Sequence, residues 1–259
     1  MPKFKLILEY EGTRYRGWQE QPNARTVQGE LRKAVENFLG EKVELAGAGR
    51  TDAGVHALFQ AVHMKSFRSI PETVLRHAIN DRLPQDINIL KVERVSAHFH
   101  ARHDVVERFY LYQIAVRRTA FGKPFVWWIK DRLDVSRMKQ AAKYFTGLRD
   151  FSAYRELDKN HDESSLVNIT RVELAETGDL ILLRIGASHF LWKMVRRIVG
   201  VIAETGRGSI APDDIPELHH ADIARLTAPP SGLFLEYVRY AGDAPPGTIF
   251  PAFFNLRNL

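Results

Sequence analysis

One order of elements, β-α-β-β-α-β, occurs twice in this chain, and that repetition limits its fold more than any other feature. Lys3 to Tyr10 alternates, with Phe4, Leu6, Leu8 and Tyr10 on one face, the period of a strand. From Thr26 to Leu39 the spacing is helical: Val27, Leu31, Val35 and Phe38 share a face, Thr26 can cap the start and Gly40 the end. Strands are expected from Lys42 to Ala48, Ala57 to Ser66 and Ile87 to Val95. A second helix is expected from Pro71 to Leu83, with Pro84 after its end. The second half begins with a strand from Phe109 to Val116. A helix capped by Asp134 runs to Thr146, with Gly147 beyond it. Strands follow at Asn168 to Glu176 and Leu180 to Ala187, around a Thr177-Gly178-Asp179 turn. A helix from Phe190 to Thr205, stopped by Gly206, and a strand from Leu233 to Tyr240 complete the order.

Each half carries the order of a ferredoxin-like split βαβ unit, which also builds the RNA-recognition module. The expected class is α+β: two ferredoxin-like (RRM-like) βαββαβ domains whose antiparallel sheets join, with the active cleft between them. The boundary falls near Ser96 to Asp104. That gives residues 1–100 as one domain and 101–259 as a second, with insertions at Arg149 to Val167 and Gly206 to Gly232. The tail Ala241 to Leu259 carries Phe250, Phe253 and Phe254, and is expected to lie extended with its aromatics packed on this chain or a partner. A fold of this kind serves many functions, so the function must come from particular residues.

The chain contains no cysteine, which excludes disulfides, thiolate zinc sites and cysteine nucleophiles. Lys plus Arg is 37 against 31 for Asp plus Glu, a formal charge of +6 that favours polyanionic partners. The N-terminus reads as a strand rather than a signal, and no apolar run is long enough to span a membrane; a cytoplasmic location is expected. His98-x-His100-x-x-His103 puts His98 and His100 on one face of a strand, but carboxylates are scarce beside them and no metal is expected.

The segment Gly47-Ala48-Gly49-Arg50-Thr51-Asp52-Ala53-Gly54-Val55-His56-Ala57 lies between two expected strands. Its glycines and alanines let backbone and ligand approach closely, around one arginine, one aspartate and one histidine. By itself, an aspartate in such a loop is better explained by turn capping than by catalysis. The run Gly49 to Ala57, however, resembles the catalytic loop of the tRNA pseudouridine synthase A family. Tyr10-Glu11-Gly12-Thr13-Arg14-Tyr15-Arg16-Gly17-Trp18-Gln19-Glu20-Gln21 is similar to that family's opening strand and loop, and Thr26 to Leu31 to its first helix. Phe99-His100-Ala101-Arg102, Tyr110-Leu111-Tyr112, Phe190-Leu191-Trp192-Lys193-Met194-Val195-Arg196 and Gly232-Leu233-Phe234-Leu235 follow in family order.

The resemblance implies isomerisation of uridine to pseudouridine in tRNA, in the anticodon stem-loop at positions 38–40. The N-glycosidic bond breaks, the uracil turns and rejoins through C5. No cofactor is implied, in keeping with the absence of a phosphate-binding glycine motif. Asp52 would be the nucleophile, through a covalent or a glycal route. Arg196 would be its counter-charge. On the expected helix Arg196 shares a side with Trp192, Val199, Gly200 and Ala203, where a buried guanidinium needs a partner such as a carboxylate; the alternative is that it snorkels to solvent. Lys193 and Arg197, a turn apart, are expected to face solvent or phosphate.

By the same resemblance Arg50 would enter the RNA and help evict the target base. Tyr110 would stack on the flipped uracil, although periodicity alone makes Tyr112 an equal candidate. Leu233 or Leu235 would wall the pocket. Arg14, Arg16, Arg25 and Arg102 are candidates for phosphate contacts. His56 is expected to be a structural hydrogen-bonder. The resemblance further implies a homodimer with tRNA as partner. Glu11, Phe109, Trp192-Lys193 and Leu166-Val167-Asn168 depart from the family's usual pattern, and bear on the tRNA position more than on the reaction. Two alternatives are a pseudouridine synthase acting on another RNA and a non-catalytic RNA-binding protein on the same scaffold.

Overall fold

The structure, a computed structural model, describes residues 1–156 and 164–252. Part of the first insertion, and Phe253 and Phe254 of the tail, lie outside the described residues. The chain forms two compact units. One comprises Met1–Val106 with Phe234–Pro245; the other comprises Glu107–Leu233 with the chain from Pro246 onward.

The elements of the first unit are β1 (Lys3–Tyr10), α1 (Val27–Leu39), β2 (Glu44–Gly47), β3 (His56–Lys65), α2 (Glu72–Asn80) and β4 (Ile87–Val95). Those of the second are β5 (Val105–Ala115, in this unit from Glu107), β6 (Trp127–Trp128), α3 (Val135–Lys143), β7 (Gly147–Asp150), β8 (Leu166–Thr177), β9 (Leu180–Ala187), α4 (Met194–Arg207) and α5 (His220–Arg225). The last strand is β10 (Leu233–Tyr240), and from Phe234 onward it belongs to the first unit. Both units are mixed α+β with mostly antiparallel pairing.

In the first unit β1 pairs antiparallel with β4 on one side and with β3 on the other. The free edge of β3 is shared: β2 takes its end, where Glu44 opposes Lys65, and β10 runs parallel to its start, where Phe234 opposes His56. Thr26 caps α1 as its sequence suggests, Oγ1 accepting the Gly29 amide at 3.3 Å. Gly40 ends the helix in the left-handed region at φ 68°. Val27, Leu31 and Val35 are wholly buried on its inner face. Each such side chain stabilises the fold by about 1.5–3 kcal/mol.

In the second unit the strand order is β5-β9-β8-β7, with β6 beside β5. The β8–β9 hairpin closes at Gly178, φ 55°, within the expected turn. Helix α4 differs from its sequence reading at both ends. It starts at Met194, because Lys193 adopts φ 61° and breaks the helical path. It ends at Gly208, φ 85°, not at Gly206. Gly206 is buried inside the helix, and a Cβ there would come within 2.7 Å of Met138 on α3. That glycine serves the packing of the two helices rather than the stop. The tail is held by its backbone: Arg184 Nη1 donates to the Gly247 carbonyl at 2.6 Å, and the Ala252 amide donates to Gln113 Oε1 at 2.7 Å. Phe250 itself is 68% exposed.

Candidate active site

The first unit builds the aspartate loop from two segments that lock together. The loop Glu11 to Gln21 runs alongside Gly49 to Val55. The Trp18 amide donates to the Thr51 carbonyl at 3.0 Å, and the Gly54 amide to the Tyr15 carbonyl at 3.3 Å. Glycines permit the approach. A Cβ on Gly12 would overlap the Val55 carbonyl, and one on Gly17, at φ 91°, would lie 2.5 Å from the Thr51 carbonyl oxygen. Side chains complete the clamp: Tyr10 and Thr51 share a hydroxyl hydrogen bond of 2.8 Å, and Gln60 donates to the Gly49 carbonyl at 2.8 Å.

Asp52 sits half-buried at the head of a tight turn, its carbonyl accepting the Val55 amide at 3.1 Å. Gly54, at φ 78°, supplies the positive φ that a type II turn needs at its third position. His56 is structural. Its Nδ1 accepts the Gly12 amide at 2.9 Å, and its ring stacks on Phe234 at 4.8 Å. The proton of the neutral ring therefore sits on Nε2.

Arg14, Arg50 and Arg102, in this same unit, are exposed. So is Arg25, whose guanidinium lies 4.7 Å from the Tyr15 ring centre and 3.4 Å from Glu30. Tyr15 donates a short hydrogen bond to Asp86, and burial together with that carboxylate pushes the Tyr15 hydroxyl pKa up. Sequence reasoning passed over Tyr15 and Asp86. Their only signal is a tyrosine with no apolar periodicity inside a polar loop.

The strand face expected for His98 and His100 does not form. β4 ends at Val95, and residues 96–104 turn. Among the described residues no group of three or more His, Asp or Glu could hold a metal ion.

In the second unit Arg196 is half-buried on α4. Its Nε donates to the Ala228 carbonyl at 2.7 Å, and its own carbonyl accepts the Ala228 amide at 3.0 Å. Gly200, one turn on, lets this segment lie against the helix, since a Cβ there would overlap the Leu226 carbonyl.

Arg197 corrects the sequence reading. It is 2% exposed and faces neither solvent nor phosphate. It pairs with Glu156 and donates to the Arg155 carbonyl. Lys193 meets the same carboxylate at 3.4 Å, and the Glu156 amide donates to the Trp192 carbonyl at 3.0 Å. Burial lowers the pKa of Arg197, opposed by Glu156. The error arose because two basic residues four apart read as a solvated face, while the acidic partner lies 41 residues away.

The two tyrosines of β5 now differ. Tyr112 is fully buried, and its hydroxyl donates to the Pro229 carbonyl at 2.8 Å. A Cβ on Gly232 would press on its ring at 2.7 Å, and burial raises its hydroxyl pKa well above the usual value. Tyr112 is thus committed to the core. Tyr110, 7% exposed, meets the Phe190 ring edge-on at 5.1 Å. Leu233 and Leu235 are both buried, at 4% and 0% exposure.

Among the described residues no helix is long and apolar enough to cross a membrane. A family model described as tRNA pseudouridine synthase matches residues 6–104 and 141–241. Asp52, Arg50, Arg102, Arg196 and Leu233 fall in the matched stretches, and Tyr110 falls between them. The tRNA pseudouridine synthase A of Aquifex aeolicus is 39% identical over 92% of this chain and 99% of its own length. The protein of the same name from Acetivibrio thermocellus is 39% identical over 93% of this chain and all of its own. That of Agrobacterium fabrum is 36% identical over 95% of each. Among solved structures, an archaeal box H/ACA sRNP Nop10–Cbf5 complex overlaps with 9% identity, covering 78% of this chain and 42% of that one, at a TM-score of 0.36, too slight to bear on the fold. The curated relatives match nearly end to end and the family model spans both units, so this chain belongs to the tRNA pseudouridine synthase family.

Proposed function

We propose that this pseudouridine-forming isomerase acts on uridines in the anticodon stem-loop of tRNA, at positions 38–40, with Asp52 as nucleophile. The observation that carries the reading is the clamped loop. Asp52 stands at the head of a tight turn fixed from the opposite side by Tyr15, Trp18 and Gly17. A carboxylate that must meet one carbon of a sugar or base gains rate from such fixation. As the N1–C1′ bond breaks, Asp52 forms a transient bond to the ribose or the base, or draws off a ribose proton that is later returned in a glycal route. Either way the freed uracil turns, C5 bonds to C1′ and gives up its proton, N1 gains one, and Asp52 is released, so atoms and charge balance without a cofactor.

The other roles follow the family resemblance. Arg196 supplies the positive partner for Asp52. Tyr110 packs against the extruded uracil, and Leu233 closes the apolar wall. Arg50 occupies the space the base leaves in the RNA. Arg14 and Arg102 hold phosphates. The commitment of Tyr112 to the Pro229 carbonyl favours Tyr110 for the uracil. The first unit's order, with β1 between β4 and β3 and β2 on the far edge of β3, supports a ferredoxin-like reading of that unit. A homodimer working in the cytoplasm completes the proposal.

The test is to map pseudouridine in unmodified tRNA incubated with the purified protein, beside Asp52→Asn. New pseudouridine in the anticodon arm with the wild type alone is the expected result. Product from Asp52→Asn would remove Asp52 from its role. Product elsewhere in tRNA, or only in another RNA, would overturn the substrate assignment.

A further inference from the structure

The exposed Arg102 stands on a turn whose backbone is pinned amide by amide. The His100 amide donates to the Asp104 carboxylate at 2.8 Å. The Ala101 amide donates to His63 Nδ1 at 3.1 Å. The Arg102 and His103 amides both donate to His100 Nδ1, each at 3.2 Å, and the Asp104 amide returns to the His100 carbonyl at 3.0 Å. Every N–H from His100 to Asp104 thus has an acceptor, and three of the five acceptor contacts are made by imidazole nitrogens. From the other side the Tyr240 hydroxyl donates to the Ala101 carbonyl at 2.8 Å. Ala101 is wholly buried, so the turn is anchored at its centre while Arg102 projects from its surface.

The anchors come from distant parts of the sequence. His63 belongs to β3, is 0% exposed, and meets the His100 ring edge-on at 4.5 Å. Tyr240 ends β10 and packs on Phe99 at 5.2 Å, with the Lys5 ammonium 4.8 Å from its ring centre. Both imidazoles act as acceptors at Nδ1, which a neutral ring can do and an imidazolium cannot. Their surroundings favour that state. Burial first, then Lys3, lowers the pKa of His63 to about 4. Burial, His103 and Lys3 lower that of His100.

The Arg102 and His103 amides lie at exposed positions where water would serve them equally well, so the turn has no need of a side-chain acceptor there. What the arrangement adds is a fixed direction for the residue at its tip. An arginine that must meet one phosphate binds better when its backbone is already ordered, since less entropy is lost on contact. We propose that His63, His100 and Tyr240 are positioning residues for substrate binding: they hold the turn His100–Asp104 so that Arg102 meets a phosphate of the RNA. This rests on the proposed RNA contact of Arg102.

The experiment measures tRNA affinity and single-turnover rate for Arg102→Ala, His63→Leu, His63→Asn, Tyr240→Phe, and Arg102→Ala combined with His63→Leu and with Tyr240→Phe. Arg102→Ala is expected to weaken binding about tenfold and to lower the salt slope by about one. His63→Leu should weaken binding in the same direction with little change in the rate of bound tRNA. His63→Asn, whose Oδ1 can take the place of Nδ1, should restore it. Neither His63→Leu nor Tyr240→Phe should weaken binding further once Arg102 is gone. Additive losses in the double variants would overturn the positioning role. Unchanged affinity in Arg102→Ala would overturn it too, because no contact would remain to position. Tyr240→Phe keeps its ring and carries the test if His63→Leu fails to fold. Affinity is read without turnover, so a wrong assignment of the modified uridine leaves this outcome unaffected.

Discussion

Arg196 and Ala228 hold each other at both main chain and side chain: the Ala228 amide donates to the Arg196 carbonyl, and Arg196 Nε donates to the Ala228 carbonyl. The reciprocal pair fixes the guanidinium plane to the backbone of a neighbouring segment. That segment reaches the helix only because residue 200 has no side chain. Gly200→Ala is therefore expected to push Leu226–Ala228 away and turn Arg196 with it. Overpacking of this kind costs about 1–3 kcal/mol, and a displacement near 1 Å at a catalytic group can cost on the order of a hundredfold in rate. Urea unfolding and single-turnover kinetics check the two effects. A rate equal to wild type would show that this segment does not set Arg196.

Gly17→Ala is expected to act on the aspartate loop in the same way. The substitution meets a positive φ and the Thr51 carbonyl together. Strain at a positive φ costs about 1–3 kcal/mol, and the loop can relieve it only by opening the clamp around Asp52. The rate for bound tRNA should fall by more than affinity does. A variant whose loss lies wholly in affinity would mean that the clamp serves binding and not the carboxylate.

Much of the fold was legible because local signals and packing agree. Thr26 and Gly40 bound α1 where the capping pattern says, and Asp134 caps α3 with its carboxylate on the Arg137 amide at 3.1 Å. The failures share a cause. Gly206 reads as a helix stop, yet its lack of a side chain is used by Met138 from another helix. Arg197 reads as a solvated base, yet its carboxylate comes from a segment whose approach no periodicity announces. His98 and His100 read as strand neighbours, yet side-chain acceptors from β3 and within the segment itself hold it as a turn. The motif around Asp52 was legible as a resemblance. The glycines that seat it against residues 12–18 carry a signal only when both loops are read as one object.

The Arg197 finding changes what its loss should do. The guanidinium is desolvated and paired with Glu156, so removing the carboxylate leaves an uncompensated charge inside the second unit, whereas removing the guanidinium leaves Glu156 paired with Lys193 at 3.4 Å. Glu156→Gln is expected to lower stability by about 3–5 kcal/mol, and Arg197→Ala, which strands no buried charge but removes a buried side chain, to lower it by less. A phosphate ligand would behave otherwise: its loss would flatten the salt dependence of tRNA binding by about one unit of slope and leave stability nearly unchanged. Chemical denaturation beside a salt titration separates the two. An intact midpoint with a reduced slope would return Arg197 to the RNA surface.

His63 gives the fold a dependence on pH whose sign is fixed by its surroundings. Burial, Lys3 and His100 hold its pKa near 4, below the ordinary 6.5, while Glu44 at 3.7 Å opposes them weakly. Between those two values the unfolded chain binds more protons than the folded one. Stability contributed by the neutral ring is therefore fully present above pH 6.5 and is lost as the pH falls toward 4. The loss approaches about 3 kcal/mol over that window. His63→Asn has no proton to gain and keeps an acceptor for the Ala101 amide. The difference in unfolding free energy between wild type and His63→Asn should thus be flat from pH 8 to about 6.5 and then move steadily against the wild type. A difference that stays constant down to pH 4 would mean that the ring is protonated as readily in the folded chain as in the unfolded one, and that His63 does not hold the Ala101 amide.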